Sequence, residues 1–408
     1  MMNSNLPIWN VAALAAMLQG ALLFLFLIAH RTSHRRANLF LAALVLCYAL
    51  DIGLETLYAT LRVADYHWLI GLNDALFFLY GPLLFLYARF LTQPDAGANR
   101  RWLIHFLPFL GILMVYTPAL FTQSVDVKLA SEGLQAMPVG ATTFLTSERR
   151  GQIELASALH ELAYLIGTLF LLRQHRRRIE NAFSSLERIN LNWLQGLTLA
   201  TGVIVVVDIL LYFTVSQEWV AYDNAVTAIL LLCAALIYAI GYMGLRQPAI
   251  FAPVNEANEA NVPAPPVTEN EPPSEKYAKS SLTEPQADDG LARLLALMDG
   301  EQLYLNGELK LSDVAAALGI SPNSLSQIIN EKLGKNFYDF VNGYRVEAAS
   351  RLLTDPKNDH LTLLAIAFDA GFNSKSTFNS VFKKHKQMTP SEFKKQLAAP
   401  SAEAGNAG

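Results

Sequence analysis

The sequence is poor in charge and in cysteine, and one cation is nearly missing from most of its length. Only 16% of its 408 residues are Asp, Glu, Lys or Arg, against 52% apolar. Between Met1 and Gly244 the one lysine is Lys128. The remaining lysines stand in the C-terminal region, so the two ends of the chain are built for different solvents. The two cysteines, Cys47 and Cys233, lie in apolar runs and cannot supply a disulfide framework or a zinc site. No phosphate-binding loop, nucleophile elbow or metal-ligand cluster is present, so neither an enzyme nor a cofactor is expected. The net charge of −4 excludes nothing about nucleic acid, because charge has to be counted by region.

What the chain has in quantity is long apolar runs. Seven lie between Ile8 and Leu245: Ile8 to Ala29, Leu39 to Ala59, Trp68 to Leu91, Trp102 to Phe121, Ile153 to Leu172, Leu194 to Val215, and Ala225 to Leu245. Each suffices to cross a hydrocarbon core, which takes about 20 helical residues. The first is read as a retained span, because its basic residues follow the apolar run and no cleavage site appears. Arginines collect after the first, third and fifth runs, as Arg31, Arg35 and Arg36, then Arg100 and Arg101, then Arg173, Arg176, Arg177, Arg178 and Arg188. The positive-inside rule puts those breaks in the cytoplasm, the N-terminus outside and the C-terminus inside. The longest external break, Thr122 to Gly151, is too short for a folded sensory domain. A small-molecule or membrane signal is therefore expected to bind among the helices.

Acidic residues inside the runs point to where. Asp51, Glu55, Asp74, Glu161 and Asp208 stand in apolar surroundings, where ionisable groups are costly and turn to a bundle interior or a wet cavity. The topology puts them from the middle to the outer half of the bilayer. This defines a candidate ligand pocket, with His160 and Tyr212 as neighbours. The same acids would serve equally to hold helices together by hydrogen bonds. Asp51 and Asp74 also suggest a paired-aspartate intramembrane protease, but the flanking Leu50 and Asn73 fit that chemistry poorly. His30, His34 and His105 read as interfacial or core residues.

From Gln247 to about Glu275 the composition shifts to proline, asparagine, alanine and glutamate without periodicity, which cannot bury a core. From Leu282 helical periodicity returns, with Leu291, Leu294, Leu295, Leu297 and Met298 forming an apolar face. The expected organisation is a membrane domain over 1–246, a flexible acidic linker over 247–280, a helical domain over 281–398 and a tail over 399–408.

Within that last domain one pattern occurs twice. Leu311, Val314, Ala315, Gly319 and Ile320 correspond at a constant offset to Leu363, Ile366, Ala367, Gly371 and Phe372. After one inserted residue, Leu325, Ile328 and Ile329 correspond to Phe378, Val381 and Phe382. Each copy reads as a short helix, a glycine turn and a capped second helix, which is helix-turn-helix grammar. Ser321 with Pro322 behind it caps the first; Asn373 or Ser374 caps the second. The outward faces carry Asn323, Ser326, Gln327 and Asn330 in one copy and Lys375, Ser376, Asn379 and Ser380 in the other. Such side chains reach base edges in a major groove, and Lys383, Lys384 and Lys386 are placed to meet phosphates. The long helix Phe337 to Leu353 joins the copies, so one chain could enter two successive major grooves of duplex DNA, about 34 Å apart. Acids outnumber bases between Asp288 and His360, so phosphate attraction is expected mainly from the second copy.

These residues resemble the DNA-binding domain of the AraC/XylS family of bacterial transcription regulators. The resemblance rests on Gly319, Ser321, Pro322, Leu325, Ser326, Gly334, Arg345, Ala348 and Leu352, and on the ending GFNSKSTFNSVFKKHKQMTPSEFKK. It covers roughly the last quarter of the chain. It implies that both second helices contact bases of promoter DNA and that RNA polymerase is a partner. Gln387 stands where the family usually has glycine, and Gln327 where arginine or lysine is frequent.

The fold class expected is thus all-α: a seven-helix transmembrane bundle, a flexible linker and an all-helical DNA-binding domain with two helix-turn-helix units, in a homodimer-capable regulator of the inner membrane. The alternative is a transporter-like membrane protein with a regulatory helical tail, which the lack of a detectable inverted repeat disfavours. A flexible linker makes a poor lever. Signal transfer is therefore expected through a change in dimerisation or release of the domain from the basic fifth loop.

Overall fold

The computed structural model describes residues 8–29, 34–60, 73–93, 100–131, 138, 146–187, 189–246 and 282–398. The expected linker, the tail, His30, Arg31, Arg188 and the start of the third apolar run lie outside them. Every regular element among the described residues is helical, apart from one isolated bridge between Phe183 and Lys310. The described residues form two compact units. One comprises those up to Arg173 with those from Leu191 to Arg246, the other Gln174–Asn190 with those from Leu282 onward. The segment Gln174–Asn190, expected as a loop of the membrane domain, thus packs with the second unit.

The first unit is built from α1 (Ile8–Ala29), α2 (Arg35–Thr60), α3 (Phe77–Thr92), α4 (Leu107–Thr122), the short α5 (Val125–Ser131), α6 (Ser147–Ala182) as far as Arg173, α7 (Asn192–Ser216) and α8 (Tyr222–Arg246). A 3₁₀ segment, Arg100–Phe106, leads into α4. Among the described residues six helical segments are long and apolar enough to cross a membrane: α1, α2, α6, α7, α8 and the 3₁₀ segment continued into α4. Of the seven expected spans the one not among them is the third, where α3 has 16 residues, about 24 Å against a core of about 30 Å. The sequence anticipated a longer third span, from Trp68. Among the described residues α3 starts at Phe77, after a turn in which Asn73 and Asp74 make side-chain contacts with other helices.

Apolar all round, α3 is also the most enclosed helix: Leu84, Leu86, Tyr87 and Ala88 are fully buried. Gly81 lets it lie against α6, since a Cβ there would come within 2.9 Å of the Tyr164 Cβ and 3.1 Å of the Glu161 Cα. Elsewhere the unit turns large apolar side chains outward, among them Leu18, Leu22, Leu25, Ile166, Phe170 and Val203. At 36 residues α6 is about 54 Å long, far more than a bilayer core needs. Its surplus C-terminal turns carry Arg176, Arg177 and Arg178.

The second unit contains α9 (Glu284–Glu301), α10 (Leu311–Leu318), α11 (Pro322–Leu333), α12 (Phe337–Thr354), α13 (Leu363–Asp369), α14 (Lys375–Lys386) and α15 (Pro390–Ala398). Leu294 and Met298 of α9 are fully buried and α9 packs on α10 and α11 as its apolar face requires. The closest approach is at Gly290, where a Cβ would meet the Ile328 side chain at 2.6 Å. Lys332 of α11 adds an ion pair to Asp288 at 2.7 Å.

Helix ends follow local chemistry. Gly319 ends α10 at φ +67° and Gly334 ends α11 at φ +62°, a left-handed conformation that costs glycine little. Gln387 ends α14 in the same conformation at φ +61°, so the turn survives the loss of the glycine but is strained by a Cβ. Gln387→Gly is expected to stabilise the second unit by about 0.5–1 kcal/mol, read as a rise in its thermal midpoint. No change would show that the Gln387 amide bond to the Lys384 carbonyl, at 3.0 Å, offsets the strain.

Candidate nucleic-acid interface

Each repeat buries the triplet its spacing requires. Leu325, Ile328 and Ile329 are at most 1% exposed, and Phe378, Val381 and Phe382 at most 5%. A buried i, i+3, i+4 stripe fixes the helix's rotation, which leaves Asn323, Lys375, Ser376 and Ser380 exposed and Ser326, Asn330 and Asn379 partly so. Ser321 caps α11 by accepting the Ser324 amide at 3.0 Å. Of the two alternatives for α14, Ser374 is the cap, accepting the Thr377 amide at 3.1 Å. Asn373 instead donates to the Gly307 carbonyl at 2.9 Å. The ends of both candidate recognition helices are therefore set by hydroxyl caps, each worth about 1 kcal/mol.

Three expected contacts look different in place. Gln327 is not on the open face: it is 8% exposed and its Nε2 donates to Glu331 at 3.1 Å. Its position falls beside the buried stripe, so the amide turns along the helix to the nearest carboxylate. Lys384 and Lys386 reach back to α12, to Asp339 and Glu347, each at 2.6 Å. Opposite charges on the neighbouring helix supply the nearer partner. Such solvent-accessible pairs are worth about 0–1 kcal/mol, so a phosphate could replace either carboxylate. Lys383 is exposed. In α11, Asn330 donates to the Ser326 carbonyl at 2.8 Å, so these two neighbours form one polar patch.

The long helix α12 carries the residue that organises the unit. Arg345 is 1% exposed and all five of its N–H donors' directions are used. Nε donates to the Tyr304 carbonyl at 2.8 Å, Nη1 to the Ser184 carbonyl at 2.9 Å and to Asn342 at 3.2 Å, and Nη2 to the Ser184 Oγ and the Asn306 carbonyl at 2.9 Å. Burial pulls its pKa down to about 10, against the opposing charge of Glu187, so it stays cationic at neutral pH. The sequence flagged Arg345 only as part of the resemblance; nothing in its neighbours along the chain foretold Ser184.

In the first unit the acids divide. Asn73 donates to Asp51 at 3.1 Å and to Glu55 at 2.8 Å, joining two carboxylates of α2. Asp74 pairs with Arg150 at 3.3 Å, and that guanidinium lies 5.9 Å from the Tyr116 ring centroid. Glu161 is buried where α3 crosses α6. His160 packs edge-on to Tyr164 at 4.9 Å, and Tyr212 lies against Gly151. Asp208 is exposed on α7, beside the buried stripe of Leu194, Leu197, Thr201 and Val205, yet lies within electrostatic reach of Asp51 and Glu161. Asn73 and Arg150, which bind the acids together, were not singled out from the sequence. Among the described residues no cluster fit to hold a metal ion occurs.

Residues 314–396 match the model of a helix-turn-helix domain, so this part of the chain is a helix-turn-helix domain. The relatives it resembles are bacterial regulators. The transcriptional activator RhrA of Rhizobium meliloti (strain 1021) is 30% identical over 99 residues, 24% of this chain and 31% of its own length. The regulatory protein PocR of Salmonella typhimurium (strain LT2) is 27% identical over 131 residues, 32% of this chain and 41% of its own. An uncharacterised helix-turn-helix-type transcriptional regulator of Staphylococcus aureus (strain COL) is 32% identical over 93 residues, 23% of this chain and 12% of its own. The chain thus spans less than half the length of each of these curated relatives. No solved structure matches it.

Proposed function

We propose that this protein is a membrane-embedded transcription regulator whose AraC-type C-terminal domain binds promoter DNA from the cytoplasmic side. The observation that carries the reading is the pairing of two unlike surfaces in one chain. One unit turns leucine, isoleucine and phenylalanine outward along helices of membrane-crossing length. The other mounts two hydroxyl-capped helices with polar outward faces on α12. Lipid suits the first surface and duplex DNA the second. In this reading both α11 and α14 enter major grooves, with Asn323, Ser326, Lys375, Ser376 and Asn379 toward base edges. RNA polymerase and a second copy of the chain are its further partners. The N-terminus lies outside the membrane, and the acids around Asn73 and Arg150 are where a signal would act. Similarity to a transcriptional activator and a regulatory protein favours this over a transporter with a regulatory tail.

The test is DNA binding by the full chain in lipid nanodiscs. Log affinity is expected to fall linearly with log salt concentration, and Lys383→Ala to reduce the slope by about 1 with no change in preferred sequence. Absence of binding at low salt would end the reading.

A further inference from the structure

The segment between α6 and α7 is folded into the helix-turn-helix unit. Phe183 forms an antiparallel bridge with Lys310. Ser184 gives its amide and its hydroxyl to the Leu309 carbonyl, at 3.2 and 2.7 Å. Arg345 grips the same residue from the other side, through its carbonyl and its Oγ, both at 2.9 Å, and Asn342 adds a bond to that carbonyl at 3.3 Å. Ser184 is 1% exposed. A residue so enclosed, with each polar group paired, is held as a part of the core rather than as a surface loop.

Three residues further on, the segment reaches the start of α14. Ser185 accepts from Asn373 at 3.1 Å. Glu187 takes a hydrogen bond from the Ser374 hydroxyl at 3.3 Å, another from Ser185, and a third from Thr377. Burial works against ionisation there, but these donors outweigh it and hold the Glu187 carboxyl below its usual range. A carboxylate thus sits at the N-terminal turn of the candidate recognition helix. That turn has a partial positive charge and hydroxyl donors, an environment in which DNA-binding helices receive a phosphate.

We propose that the segment Phe183–Glu187 is an internal ligand of the helix-turn-helix unit, and that Glu187 occupies the place of a DNA phosphate at the start of α14. The inference rests on the DNA-binding reading and adds its regulation. DNA engages α14 fully only when Glu187 leaves, and the segment, continuous with α6 and α7, ties that departure to the state of those helices. Upstream of it, Arg176 pairs along α6 with Glu180 at 2.9 Å; the bonds to the start of α14 are made by Ser185 and Glu187. Its release exchanges one anion for another at the same helix end.

The experiment uses the full chain in nanodiscs and a random-sequence duplex of about 40 base pairs, long enough for two successive grooves with flanks. Glu187→Gln keeps the side chain's size and removes its charge, and is expected to tighten DNA binding about five- to tenfold at low salt. Hydrogen exchange on the wild-type chain needs no substitution: amides of 183–187 are expected to be protected without DNA and to lose protection on adding it. Unchanged affinity in Glu187→Gln, or protection that persists in the DNA-bound wild type, overturns competition while leaving DNA binding intact. If neither protein binds the duplex, the DNA-binding reading falls and the inference falls with it.

Discussion

Arg345→Ala is expected to lower the thermal midpoint of the helix-turn-helix unit by on the order of 10 °C, a loss of about 3 kcal/mol or more. The guanidinium serves the carbonyls of Ser184, Tyr304 and Asn306 at once. Removing it takes the Tyr304 carbonyl's donor, worth about 1–3 kcal/mol, and strips one donor each from the Ser184 and Asn306 carbonyls, which keep Asn342 and the Leu309 amide. Arg345→Lys should recover less than half of the loss, because one ammonium cannot reproduce a planar fork that points in three directions. Limited proteolysis of the detergent-solubilised chain across a temperature ramp gives the midpoint. A shift under about 2 °C in the alanine variant would mean that water satisfies the acceptors and that the site is not the unit's organising centre. The effect differs in kind from that of Glu187→Gln, which should alter DNA affinity and leave the midpoint nearly unchanged.

Gly371→Ala should be nearly as damaging, for a steric reason. Gly371 holds φ +89°, and a Cβ there would stand 2.4 Å from the Tyr304 carbonyl oxygen and 2.9 Å from the Leu305 Cα. Both obstacles are backbone, so no side chain can swing away. The Tyr304 carbonyl is also an acceptor of Arg345, so displacing it disturbs that bond too. The expected cost is about 3 kcal/mol, combining left-handed strain with overpacking. Gly319→Ala is the internal comparison: φ is +67° there, but nothing lies within 4 Å of the added Cβ. It should cost about 1–2 kcal/mol, the strain alone. Equal losses in the two variants would show that the contact with Tyr304 carries no energy.

The two glycines occupy equivalent places in the repeat, and their difference shows how far a sequence can be read. Both were legible as turns, because a short helix followed by glycine and a hydroxyl cap demands a left-handed residue. That Gly371 presses on a backbone segment some 66 residues away, while Gly319 faces open space, was not. The same division runs through the candidate interface. Leu325, Ile328 and Ile329 declared the buried side of α11 by their spacing. Gln327 was placed on the wrong side of it, because a position at the edge of the stripe is settled by which partner lies nearer, here Glu331. Lys384 and Lys386 were readable as cations, and Asp339 and Glu347 as acids, but only the packing of α14 on α12 made them pairs.

In the apolar half, length and composition marked helices among the described residues. The partners of the acids followed from packing. A helix apolar all round carries no stripe to say which side is enclosed, and the polar residues that trim or stitch it come from other helices, as Asn73 and Arg150 do.

By itself, then, the sequence determined the local and periodic features: helix positions, their buried stripes, caps and turns, and the division of the chain between an apolar and a charged half. These depend on residues within about four positions of one another, where backbone geometry leaves few choices. Only the tertiary structure decided that Ser184 belongs beside Arg345 and Glu187 at the start of α14. Those pairings join residues more than 150 positions apart. They are chosen by the cost of burying a charge or a carbonyl unpaired, a cost that arises only when the chain has folded around it.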